Sequence, residues 1–361
     1  MSVFSNLPER ERFVCSKREP VLIFGTGSFG RSVARACAVS GIEVKAFIQT
    51  TPTAHTVDGI AVRSWADFSE GEKDLPLLIG IFNRDTPFDG LVALASSAGF
   101  HRIVLPYDIY AQFGTELGWR YWLSGPDLLQ AHVNELNDIY ELLADEESKN
   151  CLEQLVKFRL GLNLSYSSFA HREQQYFNSI SLSRFKNSAI RYVDAGAYNG
   201  DSFLSLREVH EVSAAYLFEP DPRNFAALVS NLQSVGYPAL CLPVGLAKHH
   251  ELLRFKGSLG EAGHLDPQGE DGIMTAPLDD LLQGKSVDFI KLDIEGAELD
   301  AFLGMKRVLS TQAPNIAVSS YHRPQDLWAL LKFLSGRGLD FRFYFRQHAF
   351  NSFDLVLYAV K

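Results

Sequence analysis

The chain has 361 residues, 46% of them hydrophobic and 21% charged, with a net charge of −9. That length points to two domains, each able to bury its own core, and the acidic balance offers no basic face for a nucleic-acid backbone. No window approaches the ~18 uninterrupted apolar residues of a membrane span, and the charged start MSVFSNLPERERFVCSKREP lacks the apolar core of a signal peptide.

Residues 1–108 read as an alternation of strands and helices. VLIFG, VKAFIQ, LPLLIGIFN and RIVLP are short apolar runs of the buried-strand type. The stretch FGRSVARACAVSG, stopped by Gly41, and FDGLVALASSAGF supply helices between them. Residues 109–186 change character and are expected to form a helical connector. Leu129, Val133, Leu136, Tyr140 and Leu143 step by four and three along one helical face. DEESKNCLEQLVKFRL then reads as a second helix with acidic residues at its start. Residues 187–361 form a second α/β unit. Strands are expected at IRYVDAG, AAYLFEP, LCLPVGL, DFIKLDI, NIAVSSY, FRFYFRQ and DLVLYAV. The last two lack an intervening crossover helix and predict an antiparallel hairpin on an otherwise parallel sheet. Asp221 as N-cap and Pro222 at the first helical position mark the start of a helix after the second of these strands. Cys15, Cys37, Cys151 and Cys241 form no C-x-x-C pair, so neither a zinc site nor a disulfide framework is indicated, and a reducing cytoplasm is the expected compartment.

Two glycine-rich loops come directly after strands. In VLIFGTGSFGRS, Gly25, Gly27 and Gly30 have the spacing of a dinucleotide fingerprint. In VDAGAYNGDS the strand ends at Asp194, Gly196 and Gly200 permit a tight turn, and Asp201 and Ser202 open a helix whose N–H groups and short side chains can hold a ligand's carboxylate or ammonium. The two loops differ at the end of the next strand. Nineteen residues after Gly200 stands Glu219, an acid at a strand end able to accept both ribose hydroxyls of a nucleotide; nineteen residues after Gly30 stands Gln49, a neutral amide. The first loop therefore has the glycines of a nucleotide site without its ribose anchor.

The stretch VDFIKLDIEGAELDAF resembles the FkbM-type S-adenosylmethionine-dependent methyltransferases, as do VDAGAYNGDS, LFEPDP and TAPLDDLL in the same order, with QYF and YHRPQDLW. The likeness runs from about Gln175 to the C-terminus. It implies a class I, Rossmann-like methyltransferase fold: a seven-stranded sheet with its last strand antiparallel. It implies S-adenosylmethionine as cofactor, with Asp194, Gly196 and Gly200 around its methionine half and Glu219 on its ribose. Asp293, Glu295 and Gly296 would lie beside the reacting methyl group, and Val244 and Gly245 near the adenine edge. The first unit more loosely resembles the nucleotide-sugar-binding domain of PglD-type sugar acyltransferases, on IFGTGSFGRSVA, VKAFIQ and VDGIAVRS, without the hexapeptide repeats that carry acyl transfer there.

A hydroxyl acceptor is a weak acid and needs a base. Asp293, Glu295 and His322 are the candidates, all at C-terminal strand ends where doubly wound sheets bind ligands. Asp293 and Glu295 alternate along the chain and are expected to point apart, one to the cofactor and one to the acceptor. They lack an obvious third metal ligand, and His249, His250 and His264 sit in polar loop contexts. The leading function is O-methylation of a saccharide or other hydroxylated small molecule. The alternatives are a nicotinamide-dependent sugar-nucleotide reductase or epimerase using Gly25–Gly30, and a non-catalytic nucleotide-binding regulator.

Overall fold

The computed structural model describes residues 3–5, 7, 8, 10–186, 188–233, 236, 239–256, 264, 265, 269 and 271–361. Two compact units emerge. The first comprises Met1–Asn137, Asn150–Ala170 and Ala349–Phe353; the second comprises Asp138–Lys149, His171–His348 and Asp354–Lys361.

The first unit is built on strands β1 (Val21–Phe24), β2 (Val44–Ile48), β3 (Thr56–Val57), β4 (Ile60–Arg63), β5 (Leu77–Ile79) and β6 (Ile103–Val104), ordered β3-β4-β2-β1-β5-β6. All pairs are parallel except the β3–β4 hairpin, which turns at Asp58 and Gly59, both with positive φ. That hairpin escaped the sequence reading although an Asp-Gly turn between apolar residues is its usual signal. The run LPLLIGIFN was expected as one strand, yet β5 stops at Ile79 because the next residue packs on the glycine loop. A Cβ on Gly80 would lie 2.8 Å from Gly30 Cα.

Within that loop the three glycines have different reasons. Gly25 has φ +104°, and a Cβ on Gly30 would meet the Gly25 carbonyl oxygen at 2.2 Å, whereas a Cβ on Gly27 would meet nothing within 4 Å. Gly30→Ala is therefore expected to cost about 3 kcal/mol or more, the upper range of overpacking. Gly27→Ala, at the N-cap of the helix Ser28–Val39, is expected to cost under about 1 kcal/mol. Thermal denaturation of the two variants checks the contrast, and equal losses would contradict it.

The connector stripe is helical but interrupted. His132 leaves helical geometry between Pro126–Ala131 and Val133–Leu142, while Leu129, Leu136 and Leu143 are buried as expected. The helix Glu146–Arg159 forms where expected.

In the second unit the main sheet contains β7 (Ile190–Ala195), β8 (Val212–Phe218), β9 (Ala239–Leu242), β14 (Phe289–Leu292), β15 (Asn315–Ser319), β16 (Arg342–Gln347) and β17 (Leu355–Val360). Their order is β16-β17-β15-β14-β7-β8-β9. β17 runs antiparallel to both neighbours and the other pairings are parallel. This is the seven-stranded Rossmann-like arrangement with an antiparallel last strand. Edge strand β16 is covered by Leu143 and Ala144, whose N–H donates to the Phe343 carbonyl at 2.8 Å. The run LCLPVGL was expected as one strand. It divides at Pro243, which has no N–H for the ladder. Its second half, β10 (Gly245–Leu246), joins a separate sheet with β11 (Glu251–Lys256), β12 (His264–Leu265) and β13 (Asp271–Ala276). Tyr192, Phe203, Phe289 and Phe177 fill the core against the central strands, each fully buried ring contributing roughly 1.5–3 kcal/mol. Among the described residues no helix is long and apolar enough to cross a membrane.

Candidate active site at the strand ends of the second unit

The C-terminal ends of β7, β8 and β14 bring the second glycine loop, Glu219 and the acidic turn Asp293–Gly296 to one edge of the sheet. The Gly196 backbone, at φ +80°, lies so close to the β14 turn that a Cβ there would sit 1.9 Å from the Asp293 carbonyl oxygen. Tyr198 and Gly200 also have positive φ, and Gly200 caps the helix Asp201–Val209. The first N–H groups of that helix are not free as expected. Asp201 donates to Asn199 Oδ1 at 3.1 Å, and Ser202 donates to Asp201 Oδ1 at 2.6 Å. The side chains of Asn199, in the loop, and of Asp201, the first helical residue, take up these N–H groups.

Asp194 is fully buried and accepts from Lys291 Nζ at 2.9 Å; the same ammonium donates to the Gly196 carbonyl at 2.9 Å. The cause is register: β7 and β14 are parallel with Lys291 directly beside Asp194. Burial opposes the Lys291 charge, but Asp194 and Asp293 outweigh it and hold the ammonium above its ordinary value. Asp194 thus anchors the loop from beneath.

Glu219 is 6% exposed. Its Oε2 accepts from the Tyr198 N–H and its Oε1 from the Asp221 N–H, both at 2.9 Å. Burial pushes its carboxyl up to about 7 against those hydrogen bonds. Val244 and Gly245 are half-buried at the break between β9 and β10.

The acidic turn departs from the expected alternation. β14 ends at Leu292, and Glu295 and Gly296 both have positive φ, so Asp293 and Glu295 converge. His322 Nε2 lies 3.3 Å from Asp293 Oδ1 and 3.7 Å from Glu295 Oε1, while Nδ1 lies 2.7 Å from Glu298 Oε1. Asp293 Oδ2 accepts from the Tyr176 hydroxyl at 2.8 Å. His322 is wholly buried. Burial disfavours its charge, yet Glu298, Glu295 and Asp293 outweigh burial and keep the imidazole protonated well above its usual range. An imidazolium shut away from solvent cannot take a proton, so the base role expected of His322 does not fit. Burial also acts to raise Asp293, but His322, Lys291 and Tyr176 hold its carboxyl below the usual range. Asp293 and Glu295 keep 27% and 13% of their side chains exposed.

Residues 194–350 match the family model described as the methyltransferase FkbM domain. This segment is an FkbM methyltransferase domain. The FkbM methyltransferase of Methylobacillus flagellatus KT, 22% identical, superposes with a TM-score of 0.75 over 94% of this chain and 90% of that one, a likeness of fold. An rRNA methylase from Streptococcus thermophilus is 14% identical over 53% of this chain and 99% of its own, with a TM-score of 0.35. Fibrillarin from Aeropyrum pernix is 13% identical over 52% of this chain and 76% of its own, with a TM-score of 0.33. No curated protein matches the sequence.

Sequence reasoning missed three residues of this polar cluster. Lys291 was detectable, because a lysine inside an apolar buried strand demands an anionic partner. Tyr176 stands in the quoted QYF but carries no local sign of reaching Asp293. Glu298 reads as an ordinary helix-start acid; it is wholly buried and also accepts from the Ile294 N–H at 3.0 Å. His249 and His250 are exposed, with His250 2.9 Å from Asp280, and the side chain of His264 lies outside the described residues. Among the described residues no group of three or more His, Cys, Asp or Glu side chains is arranged to hold a metal ion.

In the first unit the Gln49 amide is already engaged. It donates to Thr26 Oγ1 at 2.7 Å, and its Oε1 accepts from the Thr53 N–H at 3.0 Å. Gln49 ties the glycine loop to the segment after β2 where a nicotinamide site would present an acid.

Proposed function

We propose that the FkbM domain transfers a methyl group from S-adenosylmethionine to a hydroxyl of a saccharide or another hydroxylated small molecule. The observation that carries the reading is the convergence of the Gly196 turn, Glu219 and the Asp293–Glu295 turn at the C-terminal edge of one parallel sheet, where such sheets bind ligands. The donor set suits this cofactor. A carboxylate offers about four lone-pair positions; Glu219 accepts from the Tyr198 and Asp221 N–H groups and from the Asn224 side chain, and its remaining acceptor capacity can take a ribose hydroxyl. The cofactor supplies an electrophilic sulfonium methyl. The chain supplies alignment and proton removal. Asp293, held ionised, contributes negative charge toward a bound cation. With His322 cationic and both Asp293 oxygens facing donors, Glu295 is the group suited to take the hydroxyl proton. The saccharide rests on the resemblances of the two halves of the chain to families that handle sugars and related hydroxylated compounds.

Calorimetry with S-adenosylhomocysteine and with NAD tests the reading; binding of NAD without binding of S-adenosylhomocysteine overturns it. The Glu219 assignment has its own signature. Hydroxyl donors favour the carboxylate, whose free-protein value is about 7. Above that pH the group is already ionised. Below it, binding must expel a proton, so affinity falls as pH drops, approaching tenfold per unit. S-adenosylhomocysteine is therefore expected to bind several-fold more weakly at pH 6 than at pH 8. Glu219→Gln is expected to lose at least tenfold at pH 8 and to lose this pH dependence. A variant with wild-type affinity removes Glu219 from the site.

A further inference from the structure

We propose that His322 is a positioning residue: clamped by Glu298 at Nδ1, it presents Nε2 as a cation that draws the Asp293 and Glu295 carboxylates to one point at the end of β14. The inference rests on the methyl-transfer reading only for the identity of the proton that Glu295 removes. The geometry itself stands on three distances, 2.7, 3.3 and 3.7 Å, from one buried imidazole to three carboxylates.

Several elements bring charge or a polar group to this imidazole. The turn after β14 brings Asp293 and Glu295, and the helix Glu298–Leu303 brings Glu298. The helix Asp326–Ser335 brings Asp326, whose carboxyl is pushed up to about 7 by burial and the Glu298 charge and which accepts from the Arg323 N–H. The Tyr321 ring lies 4.3 Å from the imidazole, and Tyr176 reaches Asp293 from the far side. Lys291, a second cation near Asp293, is turned to Asp194, and the Arg323 side chain lies against Gly296 of the same turn. Two carboxylates brought together repel, and without a cation between them one would take up a proton. A protonated Glu295 is no base. Glu298 acts in turn on His322: its Oε1 is shared between Nδ1 and the Ile294 N–H, which fixes the ring against the backbone of the same turn.

Imidazole ¹⁵N and side-chain carboxyl ¹³C NMR on the full chain test this without an acceptor, with His322 assigned by its loss in His322→Gln and Glu295 by its loss in Glu295→Gln. The wild-type His322 is expected to show both nitrogens protonated from about pH 6 to pH 9. Glu298→Gln is expected to bring its titration down into that window. In His322→Gln the Glu295 carboxyl is expected to titrate at least one pH unit higher than in the wild type, whereas a merely structural loss would leave that midpoint in place. A neutral wild-type His322 at pH 7, or an unmoved Glu295 midpoint, overturns the proposal. If His322→Gln does not fold, the shift of the His322 signal in Glu298→Gln supplies the assignment and the wild-type protonation state decides. Calorimetric binding of S-adenosylhomocysteine reports separately on the methyl-transfer reading, so the two can fail independently.

Discussion

Lys291→Met is expected to destabilise the second unit by about 3–5 kcal/mol, the cost of leaving a buried charge without its partner. Asp194 is fully buried, and the ammonium of Lys291 is its ion-pair partner. The same substitution releases the Gly196 carbonyl from its hydrogen bond. The loss should depend on pH in a defined direction. Burial already holds Asp194 above its ordinary value against the pull of Lys291; without the ammonium it rises further, so the variant's stability falls more steeply as pH climbs past the ordinary carboxylate range. Its deficit against the wild type should therefore narrow toward pH 4–5 and be widest above pH 7. Adding Asp194→Asn should restore part of the stability, because the uncompensated charge is gone. Denaturant unfolding at several pH values measures all three quantities. A deficit under about 1 kcal/mol at pH 8 would show that the pair does not carry the loop.

Glu295→Gln is expected to slow methyl transfer by about 10²–10⁴ while leaving S-adenosylhomocysteine affinity within a few-fold of wild type. The amide keeps the size of the side chain and an oxygen toward His322 but cannot take a proton. Asp293→Asn should behave differently. Asp293 faces Tyr176 and His322 together, so its loss disturbs the turn against which Gly196 packs and should lower cofactor affinity and rate together. Single-turnover transfer of labelled methyl to a saccharide panel, paired with calorimetry, separates the two patterns. Full turnover by Glu295→Gln would remove Glu295 as the base.

The two outcomes turn on different kinds of information in the chain. Asp194, Gly196, Gly200 and Glu219 are legible because each signal is local: an apolar run that ends, glycines at a fixed spacing, an acid at the next strand end. The same locality makes the seven strands visible, and its limits explain the errors. Pro243 splits an apolar run between two sheets, and Gly80 ends a strand because it must touch Gly30. Alternation failed at Asp293 and Glu295 because it holds only while the strand continues, and β14 ends before them in a left-handed turn.

The sequence by itself determined the order of strand and loop motifs, and with it the FkbM domain, the Rossmann-like sheet and the acid after β8. Those properties depend on neighbours along the chain. Which groups are charged, and which can act, was decided only by the tertiary structure. Lys291 meets Asp194 across a strand register, Tyr176 reaches Asp293 from more than a hundred residues away, and His322 is enclosed by acids from the turn and the helix that come after β14. Protonation is set by burial and by charges within a few ångströms, and those distances exist only once the chain has folded.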